Sequence, residues 1–206
     1  TVRLLREKKL AIPCFDTSYD ISDEADVTPL LIDLMDVAKQ MQVPYIVAVA
    51  LTEHEDRVRE RLEYLLPLAE EAGVAILMKS SGIYADTARL RALMDSFACD
   101  QLAALWDIHH PYRYYRESPQ KTYENLKDWI CYCHVKDSVM VDDKVEYRMM
   151  GYGDVPIFDT LKILKDHGYE GFITLEWTKR WCPDLQEPGI VFAHYATYMR
   201  YLMNQL

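Results

Sequence analysis

Three residues whose side chains can ligate a divalent ion stand where short apolar runs end. They are Asp107 after LAALW, His134 within ICYCHVKD and Glu176 within FITLEW. A fourth run of the same kind, AILM, ends instead on Lys79. These four positions are 28, 27 and 42 residues apart, spacings that accommodate a strand and a returning helix. Two carboxylates and an imidazole suit Mn, Zn, Co or Mg, with water or substrate hydroxyls in the open positions. Taken singly, each residue has a plainer use, since strand-end acids cap helices and lone histidines make structural hydrogen bonds. Their recurrence on successive strands is what points to a shared site.

The elements that must position them alternate along the chain. Apolar runs at 10–15, 45–50, 74–78, 102–107, 130–135 and 172–177 read as strands. Between and after them, 27–42, 53–72, 86–98, 118–128, 157–168 and 190–204 read as helices, two of them closed by Gly73 and Gly168. Residues 138–156, with Gly151 and Gly153, read as a loop that includes a small hairpin. Near-continuous apolar strands separated by helices indicate an α/β chain with a parallel sheet covered on both faces. Both the open doubly wound sheet and the closed eight-stranded barrel have this pattern. The stretch after the first strand, CFDTSYDIS, lacks the glycine-rich phosphate loop that would favour the open sheet.

Composition narrows the function classes. The 206 residues, half of them hydrophobic, suffice for one core, so a single domain over 1–206 is expected. With 33 acidic and 23 basic residues the formal charge is −10, which disfavours nucleic acid and anionic membrane surfaces as partners. No apolar stretch reaches the ~18 residues of a membrane span, and TVRLLREKKL is not a signal-peptide core. A cytoplasmic location is expected. The five cysteines have neither disulfide-framework nor metal-finger spacing, and Cys131 and Cys133 read as small buried hydrophobes on one face of a strand.

LWDIHHPYR, CHVKDS, RMMGYGDVP and GYEGFITLEW, in this order, resemble the xylose-isomerase-like TIM-barrel superfamily, the sugar phosphate isomerases and epimerases. That resemblance implies a (β/α)8 barrel holding one divalent ion on Glu, Asp, His and Glu. Asp107, His134 and Glu176 match the second, third and fourth ligands, and Lys79 in MKSSG aligns with the first. His110 matches a histidine that contacts substrate oxygens. Lys136 and Arg148 lie where relatives have polar substrate contacts, while Trp177 and Trp181 fall on a loop that would wall the pocket. The abasic-site endonucleases of the same superfamily are disfavoured by the acidic surface.

Two departures qualify what the resemblance implies. A protonated lysine cannot ligate, so Lys79 either replaces the ion by pairing with Asp107 and Glu176, or swings aside while three ligands hold it. The six strands match the third to the eighth of the barrel, which needs about 250 residues. An N-terminally truncated barrel follows, with edges that a homo-oligomer or the remainder of a longer polypeptide would cover. The expected activity is a metal-dependent isomerase or epimerase of a sugar, sugar phosphate or polyol, with Glu176 and Lys79 as the candidate catalytic groups. The alternative is a non-catalytic module with a decayed metal site.

Overall fold

The computed structural model describes residues 2–206. Six parallel strands run in sequential order: β1 (Cys14–Phe15), β2 (Tyr45–Ala48), β3 (Ala75–Lys79), β4 (Leu102–Asp107), β5 (Ile130–Val135) and β8 (Phe172–Leu175). Between β5 and β8 lies an antiparallel pair, β6 (Asp137–Val141) and β7 (Lys144–Arg148). The helices are α1 (Val2–Lys8), α2 (Thr28–Met41), α3 (Glu55–Ala72), α4 (Thr87–Asp95), α5 (His109–Tyr115), α6 (Pro119–Leu126), α7 (Ile157–Asp166) and α8 (Pro188–Gln205). Among the described residues, no helix is long and apolar enough to cross a membrane.

The chain divides into two compact units, and β4 and β5 each begin in the first and end in the second. The first unit, residues up to 105 with 126–131, holds β1 to β3 in parallel register, Tyr45 opposite both Cys14 and Ala75. Its core is built by helical periodicity: Leu31, Met35 and Ala38 of α2 and Val58, Leu62, Leu65 and Ala69 of α3 pack with Ile46, Ile76 and Met78 of the strands. Gly73, at φ +69°, ends α3 in the left-handed conformation that glycine tolerates.

The second unit, residues 106–125 and 132–206, pairs β5 with β8, His134 opposite Thr174. Trp106, Cys133, Val135, Met150, Ile157, Leu161 and Leu164 are among its buried apolar residues. The β6–β7 hairpin turns at Asp142 and Asp143, whose φ of 47° and 59° suit the mirror-image turn that matches strand twist.

The observed elements differ from the expected ones at several boundaries. The first strand shrinks from 10–15 to Cys14–Phe15, because Pro13 has no N–H to donate to a ladder. The stretch after Asp107 contains α5, whose amides His109 N–H and His110 N–H both donate to Asp107 Oδ1, at 3.1 and 3.3 Å. The helix expected over 118–128 is Pro119–Leu126. The last strand stops at Leu175, although Glu176 N–H still donates to Val135 O at 2.9 Å.

Candidate functional site

The candidate site lies in the second unit, at the carboxyl ends of β4, β5 and β8. Alternation along β5 puts Tyr132, His134 and Lys136 on one side of the sheet, and along β8 it does the same for Thr174 and Glu176. The contacts follow that face: Tyr132 Oη is 2.7 Å from Thr174 Oγ1, and the Tyr132 and His134 rings meet edge to face at 5.7 Å. Two residues further on, Lys136 Nζ donates to Asp107 Oδ2 at 2.8 Å and to Glu176 Oε2. Lys136, which the sequence offers as a substrate contact, thus joins the two carboxylates through its ammonium. Burial pulls the Lys136 ammonium down, but Asp107 and Glu176 outweigh it and hold the group above the ordinary lysine range.

Burial grades these groups. Asp107 is fully buried, with one oxygen taken by the α5 amides and the other by Lys136. The Glu176 side chain is 24 % exposed. His110 is 22 % exposed at the side chain, with Nε2 3.7 Å from Asp107 Oδ2. His109, beside it, is wholly buried; one ring nitrogen, Nε2, lies 2.9 Å from Ser138 Oγ and the other has no hydrogen-bond partner. Burial first, and the Lys136 charge second, push His109 down to about 3, so it is neutral at physiological pH. The tandem histidines are visible in sequence, but only the fold shows that the first is a core residue.

Asp137 adds a function that sequence reasoning does not assign. It ends the HVKD run, and its two carboxylate oxygens accept backbone N–H bonds from Ser138, Gly151, Gly153 and Val155. A side chain at Gly153 would strike that carboxylate, and one at Gly151 would strike the Tyr198 ring. The G-x-G of the sequence is thus a cradle for Asp137, a close approach of backbone to side chain.

The remaining sequence candidates are placed as follows. Arg148 ends β7, bonded to Glu146 at 2.5 Å and to Tyr147 O at 3.2 Å. It helps line a cleft of about 500 Å³ with Tyr147, Cys182, Asp184 and Gln186. Trp177 anchors the loop after Glu176 through Nε1 to Gln186 O at 2.9 Å, and Trp181 is exposed. Lys79 is a buried residue at the carboxyl end of β3, opposite Leu105 in the ladder of the first unit.

The donors can be tested against a divalent ion. His134 and Glu176 bring ligand atoms within 4.8 Å of each other, as do Asp107, His109 and His110. The donor chemistry is suitable, but the arrangement is not. Asp107 and Glu176 share the Lys136 ammonium, Ser138 holds His109, and the sequence position that aligns with the first ligand is Lys79. As arranged, with that ammonium between them, Asp107 and Glu176 do not fit a divalent ion as a pair.

Several solved structures share the fold at low sequence identity. A D-tagatose 3-epimerase-like protein superposes with a TM-score of 0.79 at 16 % identity, covering 99 % of this chain and 82 % of its own. The IolI protein with a bound zinc atom gives 0.78 at 14 % identity, covering 100 % and 82 %. The 3-keto-D-glucoside 4-epimerase of E. coli gives 0.76 at 13 % identity, covering 97 % and 82 %. A search of curated protein sequences finds no match. The sequence profile described as xylose isomerase-like TIM barrel matches residues 1–195, and the chain belongs to that family.

Proposed function

We propose that the chain is an isomerase or epimerase of a sugar, sugar phosphate or polyol-like substrate, moving a proton at a carbon next to a carbonyl. One observation carries the reading: of the two carboxylates joined by Lys136, Glu176 is partly exposed while Asp107 is fully buried. Glu176 is the carboxylate that a substrate carbon can reach. It takes the proton, the C–H electron pair forms a carbon–carbon double bond as the carbonyl π pair moves onto oxygen, and return of that proton to the neighbouring carbon, or delivery of a solvent proton to the other face, completes the exchange. His110, at the same rim and partly exposed, is placed to contact substrate oxygens. The epimerase names of two fold neighbours support the substrate class. All five cysteines are free thiols, which suits the reducing cytoplasm in which we place the protein.

The test is solvent deuterium incorporation across a panel of ketoses, aldoses and their phosphates. Glu176→Gln is expected to lower exchange by about 10²–10⁴-fold while the circular dichroism spectrum stays unchanged. Exchange at the wild-type rate in this variant would remove Glu176 from the reaction. A second reading, a non-catalytic module, is favoured by Lys79 at a ligand position and by the ammonium saturating both carboxylates. Absence of exchange in the unmodified chain across the whole panel would establish it.

A further inference from the structure

We propose that Lys136 is the resident cation of this site, its ammonium holding the ground between Asp107 and Glu176 that a divalent ion would need. The geometry is specific. Lys136 is 3 % exposed at the side chain, Asp107 0 %, and the Nζ–Oδ2 distance is 2.8 Å. The same nitrogen reaches Glu176, on a different strand. A buried carboxylate is stable only when paired, and Asp107 has its charge met here by a side chain two positions beyond His134. An incoming ion would have to displace that ammonium, leaving it buried and unpaired, or sit beside it, meeting a like charge with both carboxylates already engaged.

This deepens the isomerase reading and rests on its choice of site. An ammonium has three N–H donors, and two go to the carboxylates. The third is available to the substrate oxygen that gains negative charge as the carbon proton leaves for Glu176, a charge the site must meet by some fixed cation. The ligand class follows: a carbonyl compound whose enediolate is stabilised by a lysine.

Metal binding to the chain tests this without reference to activity. After EDTA treatment and dialysis against Mn²⁺ or Zn²⁺, the unmodified chain is expected to retain less than about one-tenth of an equivalent. Lys136→Gln, which removes the ammonium from both carboxylates, should bind at least about tenfold tighter, and Lys136→Arg should bind as weakly as the unmodified chain. One equivalent retained by the unmodified chain, or no gain in a folded Lys136→Gln, would overturn the proposal. Should Lys136→Gln fail to fold, the melting temperature of the unmodified chain decides. No change in millimolar Mn²⁺ is expected, and a rise of about 5 °C would overturn the proposal. Failure of the isomerase reading registers separately, as absent deuterium exchange in a chain that still excludes metal.

Discussion

Cys14, on β1 opposite Tyr45, has its thiol pushed up from 9.0 to about 12, by burial first and by the Asp16 carboxylate second. In the unfolded chain the thiol ionises near its ordinary value, whereas the folded chain holds the proton until about 12. Its contribution to stability is complete below pH 9 and is lost as pH rises towards 12. The thiolate is the nucleophile, so at pH 9 iodoacetamide should modify Cys14 at least about 100-fold more slowly in the native chain than in urea. Equal rates, read by peptide mass mapping, would show that the thiol is not shielded. At this scale the sequence is a partial guide. Asp107, His134 and Glu176 are recognisable from their place at strand ends, but the partner of a buried charge is set by which strands lie side by side. Lys136 is two residues from His134 and 40 from Glu176, and only β5–β8 pairing brings it to that carboxylate.

Between β5 and β8 the chain makes an excursion of a hairpin, a glycine loop and α7, and one carboxylate ties the first two together. Asp137 begins β6 and takes amides from Gly151, Gly153 and Val155 of the loop. Arg113 of α5 adds a bond to Ser138 O at 2.8 Å and an ion pair with Asp154. Asp137→Ala strands several amides without an acceptor and should cost about 2–4 kcal/mol in urea unfolding, with the loop amides losing hydrogen-exchange protection. A loss below about 0.5 kcal/mol would mean that water replaces the carboxylate without penalty. The regular elements around this excursion are legible because buried parallel strands are apolar throughout and their helices have an apolar stripe. α5 is not, because HHPYRYY has no apolar period and owes its first turn to Asp107. The hairpin is only partly legible, since a turn of two aspartates lacks the glycine that marks such turns.

Over the whole molecule the cations are largely committed to internal partners. Arg57 and Arg61 hold the carbonyls of Ser22, Ile21 and Ala25, Arg89 pairs with Glu53 and Glu55, and Arg113 and Lys136 are buried in the ion pairs described above. Lys79 is buried as well, and the whole chain carries a formal charge of −10. Nucleic-acid affinity comes mainly from phosphate neutralisation and is strongest at low salt, so a chain of this charge has little to offer a polyphosphate backbone. The chain should therefore pass through a double-stranded DNA column at about 50 mM salt, a concentration at which basic binders are held tightly. It should also give no shift with an abasic-site duplex. Retention that weakens steeply between about 50 and 200 mM salt would reveal a local basic surface that the total charge conceals. That result would reopen phosphodiester chemistry for this site, because family membership alone does not decide between a carbohydrate and a nucleic-acid substrate.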